Sequence, residues 1–146
     1  MIYQEEKYKD ILPELEPLML ELASEVDLYP EEPKVNVDHE TLGSMDTLQL
    51  ITARQDNRLV GFHIATVQPD LFYKHILTGF VLLYYMLPEY RGRGKGTGLF
   101  EYAEMLYKKK KVQRVFMSRK IYIPNEKVFT SLGYTQIEAN YTKAIK

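Results

Sequence analysis

The chain contains no cysteine, which excludes disulfides, thiolate metal sites and a cysteine nucleophile. Histidine is scarce, and His39, His63 and His75 form no HExxH pair, so no metal site is expected. No apolar run approaches the roughly 18 residues of a membrane helix. The first ten residues, MIYQEEKYKD, are too acidic and polar for a secretory leader, so the expected location is the cytoplasm. Net charge is almost absent, −1 over 146 residues, and no global field draws the chain to nucleic acid or membrane. No repeat, linker or low-complexity tract interrupts it. What is present is ordinary globular composition, 45% hydrophobic and 27% charged. The length suits one domain, residues 1–146, able to bury about 68–70% of its unfolded surface.

One stretch stands out. Phe80 to Leu87 is apolar and aromatic and reads as a buried strand. Pro88 ends it, because proline cannot donate to a sheet ladder. Gly92, Gly94, Gly96 and Gly98 follow at alternate positions, interleaved with Arg91, Arg93, Lys95 and Thr97, and a helical pattern begins at once. Amides at a helix start have no intrahelical partner, and the dipole there favours an anion. Strand, glycine loop and helix N-terminus together predict a phosphate cradle.

Around it the coarse order is legible. Met1 to Lys7 reads as an edge strand or a frayed tail. Ile11, Leu15, Leu18, Leu22 and Val26 recur at three- and four-residue spacing and predict a helix from Lys9. Pro13 fits its first turn; Pro17 either marks the true first turn or kinks the helix. Tyr29 to Pro33 is a loop, and 38–45 is a short helix capped by Asp38 or a loop. Strands are expected at 48–54 and 59–67 around a turn at 55–58, and at 77–87. A helix at 96–110 buries Leu99, Ala103 and Leu106. The lysines at its end, Lys108 to Lys111, complement the helix dipole rather than mark a nucleic-acid patch. A strand at 113–118, a helix at 125–132 closed by Gly133, and strands at 134–137 and 141–145 complete an α/β (α+β) single domain.

The glycine loop invites three readings. A nucleoside-triphosphate loop needs GxxxxGK followed by Ser or Thr, which is missing. A dinucleotide fingerprint needs GxGxxG and an acidic residue closing a second strand, also missing. The third reading fits: the loop resembles the acetyl-CoA pyrophosphate loop of the GNAT superfamily of N-acetyltransferases. Arg91, Gly94 and Gly96 stand at the positions of the Q/R-x-x-G-x-G/A pattern, after the lead-in Pro88-Glu89-Tyr90. The hairpin segment DNRLVGFHIATV and the segment from Asn125 to Tyr134, N-x-x-x-F-x-x-L-G-Y, also resemble the family. The likeness covers roughly Leu59 to Ile145, and the Tyr-Tyr-x-x-Pro-Glu-Tyr-Arg-Gly run with Glu138, Tyr141 and Lys143 is similar to small members carried by bacteriophages. It implies a mixed, mostly antiparallel sheet flanked by helices, with a splayed central strand at the cofactor site.

The resemblance also implies a reaction: direct transfer of acetyl from acetyl-CoA to a primary amine of a small molecule or protein. The alternative is a non-catalytic acetyl-CoA-binding module acting through a protein partner. The backbones of Tyr84, Tyr85, Met86 and Leu87 would pair with the pantetheine arm, one N–H polarising the thioester carbonyl. The amides of Arg93, Gly94, Lys95, Gly96, Thr97 and Gly98, opened by Arg91 and Gly92, would hold the pyrophosphate, and Arg91, Arg93 and Lys95 would add positive charge. Asn125 would contact the cofactor arm, cap a helix, or both. An amine of pKa about 10.4 is only roughly one part in a thousand neutral near pH 7.4, so a base is useful. The strand carries no carboxylate, and His75, in the loop entering it, is the first candidate base, with Glu31 and Glu32 next. His63 reads as structural or surface. Phe129 occupies the cofactor-side position where relatives place the tyrosine acid. Another tyrosine, among Tyr84, Tyr85, Tyr122 and Tyr134, with Tyr134 the first choice, or solvent must then protonate the thiolate. Expected partners are the amine acceptor and a second copy in a homodimer, with neither nucleic acid nor membrane.

Overall fold

A computed structural model describes residues 1–26, 35–92, 94–121, 123–143 and 145, with the backbone only of Lys95. The elements in chain order are β1 (Ile2–Glu5), α1 (Tyr8–Val26), α2 (His39–Ser44), β2 (Leu48–Gln55), β3 (Arg58–Pro69), β4 (Leu77–Met86), a 3-10 turn (Pro88–Tyr90), α3 (Lys95–Lys109), β5 (Arg114–Phe116) and α4 (Glu126–Ser131). The strands form one sheet in the order β1-β2-β3-β4-β5, antiparallel throughout except that β5 runs parallel to β4.

The central strands are buried on both faces, which is why Leu50 to Ala53 and Leu59 to Thr66 read as near-continuous rather than alternating runs. α1 packs against β3 and β4 and buries Tyr8, Ile11, Leu15, Leu18 and Met19; α3 covers β1, β2 and β3 with Leu99, Ala103, Leu106 and Tyr107 in the core. The β2–β3 hairpin turns on Asp56 and Asn57, both at positive φ (49° and 65°), the pairing whose twist matches that of the flanking strands. Arg54, almost buried, ties the hairpin to the N-terminal elements through Glu6 (2.9 Å) and Glu14 (2.8 Å). Asp38 caps α2 by accepting from the Thr41 N–H at 3.0 Å. Lys108 and Lys110 pair with Glu104 and Glu5, as suits a helix terminus.

Two expectations are corrected. Pro13 is not in a first turn: α1 starts at Tyr8, so both Pro13 and Pro17 are interior. Both rings lie on the solvent face, where water can take the carbonyls left without a donor, and the buried stripe on the other face holds the helix together. The strands expected at 134–137 and 141–145 do not form among the described residues. Their apolar residues find no cover: Ile137, Tyr141 and Ile145 are exposed. β5, the edge strand at that side of the sheet order, is only three residues long, which offers little ladder to extend.

Candidate active site

The site is built by a strand that loses its neighbour. β5 pairs with β4 only from Thr78 to Phe80. In the β3–β4 ladder Ile64 faces Leu83 and Ala65 faces Val81, so Leu82 is an extra residue, a bulge. Bulges bend a strand and increase its local twist. From Val81 to Met86, β4 therefore keeps β3 on one side and, among the described residues, has no ladder partner on the other. The Leu87 N–H goes to the Val60 carbonyl at 2.9 Å, so Leu87 and, by alternation, Tyr85 turn their backbone groups toward β3, whereas Tyr84 and Met86 turn theirs to the free edge. Of the four backbones expected to meet the cofactor arm, this alternation presents two.

The free edge runs straight into the glycine loop. Gly92 (φ 83°) and Gly94 (φ 77°) adopt left-handed backbone, the conformation glycine takes without a Cβ penalty. Gly94 caps α3: its carbonyl accepts from the Gly98 N–H at 3.1 Å and from Thr97 Oγ1 at 2.8 Å. The amides of Lys95, Gly96 and Thr97 thus belong to a first turn with no carbonyl four residues back, and that turn carries no acidic residue. A Cβ built on Gly96 meets nothing within 4 Å among the described residues, so the backbone beside these amides is open. Gly98 is different. A Cβ there would collide with the Tyr3 phenol, so this glycine lets α3 close on β1. Arg93 lies outside the described residues.

Arg91 turns away from the cradle. Its Nε donates to the Met86 carbonyl at 2.6 Å, its NH2 nitrogen reaches both Glu25 oxygens at 2.9 Å, and the guanidinium lies 5.1 Å from the Tyr85 ring centre. Tyr85 is buried, and its hydroxyl lies 3.1 Å from Glu21 and 3.0 Å from Glu25. Burial and then the two carboxylates push that hydroxyl well above the usual tyrosine range. The α1 face of the splay thus holds two carboxylates that the sequence reading missed. Their i,i+4 spacing at the end of α1 put them on one face, but nothing in the sequence said that β4 would lie beneath.

The other face is aromatic. Tyr84 and Phe100 pack edge-on, as do Tyr84 and Phe129, at 5.2 and 5.8 Å between ring centres, and Tyr134 packs on Phe129 at 6.3 Å. Asn125 is the N-cap residue of α4 by position, yet its side chain makes no cap bond; Nδ2 instead donates to the Tyr84 hydroxyl at 3.4 Å. His75 is not brought here. It is exposed in the loop before β4, at the opposite end from the glycines, and the strand from Leu77 to Tyr84, about 23 Å at ~3.3 Å per residue, lies between them. Glu31, Glu32 and Tyr122 lie outside the described residues. His63 is buried in the sheet and packs against Phe100 and Tyr107 of α3.

The β4 edge without a ladder partner among the described residues and the glycine-opened start of α3 thus follow one another, an arrangement suited to an extended ligand that ends in an anion. A family profile described as the Acetyltransferase (GNAT) family matches residues 12–134, and the chain belongs to that family. It is an acyltransferase that takes acetyl from acetyl-CoA and passes it to an amine. No curated protein matches the chain. Among solved structures it is similar to a ribosomal-protein-alanine N-acetyltransferase from Brucella melitensis biovar Abortus 2308, at 19% identity over 99% of this chain and 97% of that one, TM-score 0.80. The aminoglycoside N-acetyltransferase AAC(6')-Iy in complex with CoA matches at 19% identity over 99% of each chain, TM-score 0.74. An aminoglycoside acetyltransferase from an uncultured soil metagenomic sample, in complex with sisomicin, matches at 13% identity over 99% of this chain and 96% of that one, TM-score 0.75. At these identities the likeness is one of fold.

Gly96→Val tests the cradle. The substitution meets no atom of the described residues and replaces a poor helix former, so the fold should hold while the side chain narrows the space beside the amides. Acetyl-CoA affinity by isothermal titration is expected to fall at least about tenfold, or ~1.4 kcal/mol. An unchanged affinity in a folded variant would remove the cradle. Gly94→Val adds backbone strain at φ 77° and is the less clean probe.

Proposed function

We propose that the donor lies in the splay, its pyrophosphate on the amides of Gly94 to Thr97 and its arm on the Tyr84–Met86 edge of β4. The acceptor amine enters from the α1 side. The observation that carries this reading is the β4 edge from Val81 to Met86, which has no ladder partner among the described residues and gives only its Met86 carbonyl to Arg91, leading on to the α3 N-terminus. An N–H on that edge would polarise the thioester carbonyl and stabilise the oxyanion. The amine attacks that carbon directly, in keeping with a chain that has no cysteine and so cannot form a cysteinyl acyl-enzyme.

Glu25 and Glu21 take the role for which His75 and Glu31 were expected. Tyr85 holds them at the acceptor side of the splay, where a carboxylate can accept a proton through water from an incoming ammonium. Keeping a lysine-like amine neutral near pH 7.4 costs about 4 kcal/mol, which sets the scale of that help. Two carboxylates on this face also favour an acceptor with positive charge beyond the reacting nitrogen, and the sisomicin complex of the metagenomic acetyltransferase points the same way. Among the described residues no helix is long and apolar enough to cross a membrane; cytoplasmic location is proposed because acetyl-CoA is drawn from that pool. A homodimer is proposed on the exposed Ile137, Tyr141 and Ile145, with sedimentation as its test.

Thiol release from acetyl-CoA should be measured with an alanine-starting peptide, a lysine peptide, spermidine and sisomicin. Amine-dependent release with at least one of them, strongest with a polycation, is expected. Tight acetyl-CoA binding without release on any amine would support the non-catalytic module instead.

A further inference from the structure

Tyr84 is placed unlike any other tyrosine in the described structure. Its backbone groups face the free edge of β4, and its ring stands on the α3 and α4 side. The hydroxyl reaches across the opening, donating to the Ser118 carbonyl, on the chain just past β5, at 3.2 Å and accepting from Asn125 Nδ2 at 3.4 Å. Both contacts are long for hydrogen bonds. They hold the oxygen in the gap that a thioester arm on the β4 edge would enter, and a stronger acceptor could displace either.

We propose that Tyr84 is the catalytic acid of the transfer, giving its hydroxyl proton to the sulfur of the departing thiolate. The assignment rests on the donor lying in the splay as described above. The amine nitrogen bonds to the acetyl carbon, the carbon–sulfur bond breaks, and its electron pair goes to sulfur. The Tyr84 O–H proton moves to that sulfur, the amine proton leaves toward the Glu25 side, and solvent reprotonates the tyrosinate.

The other candidates are placed elsewhere. Phe129 has no hydroxyl. The Tyr85 hydroxyl is on the opposite face between Glu21 and Glu25. Tyr134 is turned toward the second half of α3, where its hydroxyl feels Glu104 and acts on Tyr107. Burial raises the Tyr84 hydroxyl above the ordinary tyrosine range, against the smaller opposing effects of Asn125 and Arg119, so the proton is in place at neutral pH.

Tyr84→Phe keeps the ring and removes only the oxygen. With the best acceptor of the four-amine panel, kcat is expected to fall ~10- to 100-fold. That is at or below the low end of the usual acid–base span of roughly 10²–10⁴, because a thiolate of pKa near 8.5 can leave without full protonation. Acetyl-CoA affinity by titration should stay within about twofold, and Tyr134→Phe should keep wild-type turnover. Undiminished turnover in Tyr84→Phe would overturn the assignment, as would a loss matched by an equal loss of acetyl-CoA affinity, which marks a packing role. A wild type that binds acetyl-CoA yet acetylates none of the amines would instead sink the transfer reading, and the acid with it.

Discussion

A protein in which Glu21 and Glu25 are both glutamine is expected to bind acetyl-CoA like the wild type and to turn over about 10²–10⁴-fold more slowly. The two carboxylates lie on the last turns of α1 and meet at the Tyr85 hydroxyl. Tyr84 and Tyr85 are adjacent on a strand, so their side chains leave opposite faces of β4. The donor-side hydroxyl and the acceptor-side carboxylates are thus separated by one strand. Glutamine keeps the size and the hydrogen bonding to Tyr85 but cannot take a proton. It also loosens the grip of Glu25 on Arg91, a two-oxygen pair at 2.9 Å. Arg91→Ala is therefore the control for an indirect effect through the loop. His75→Ala is expected to stay within about twofold of wild type, since about 23 Å of strand at ~3.3 Å per residue intervenes. A double glutamine variant with normal turnover, or a His75→Ala variant with the slow one, would return the base to the loops before β4 or before α2.

The second large effect is on stability. His63 is buried in β3 beneath Phe100 and Tyr107 of α3, with Ile51 of β2 and Tyr84 of β4 as its cross-strand neighbours. Its ring nitrogens, like the Gln49 amide and the Tyr107 hydroxyl, have no hydrogen-bond partner among the described residues. Burial pushes the His63 imidazole down to about 4, against roughly 6.5 in the unfolded chain. The unfolded state thus binds the proton first. The contribution is fully present above pH ~6.5 and is lost as pH falls through the folded value near 4. That depression corresponds to on the order of 3 kcal/mol. Urea unfolding of wild type and His63→Leu at pH 7 and pH 4.5 should show the wild type losing more stability by most of that amount. Parallel losses in the two proteins would mean that the imidazole is not held neutral by the fold.

What the sequence made legible, and what it did not, follows from the range of the interactions involved. The cradle is local: glycine spacing, Pro88 and the start of α3 lie within a dozen residues, and chain geometry alone joins them. The same holds for the Asp56-Asn57 turn and the Asp38 cap. The acceptor side is non-local. Glu25 meets the Tyr85 hydroxyl only because α1 crosses β4 some 60 residues later in the chain, and helical periodicity reports a face without naming its neighbour. His75 drew attention because it is near β4 in sequence, yet it enters the strand at the wrong end. The last strands failed for a related reason: β-prone residues between Tyr134 and Ile145 mark a segment able to pair, but pairing needs a ladder, and β5 is three residues long.

The most direct test of this account is the crystal structure of the protein with acetyl-CoA. The expected result has the pyrophosphate against the amides of Gly94 to Thr97 and the arm hydrogen-bonded to the backbone of Tyr84 and Met86. The sulfur should lie within reach of the Tyr84 hydroxyl, and the acetyl carbon should be open toward Glu25. An arm that lies outside the splay, leaving the Tyr84 to Ser118 hydrogen bond intact and the Val81–Met86 edge bare, would contradict it.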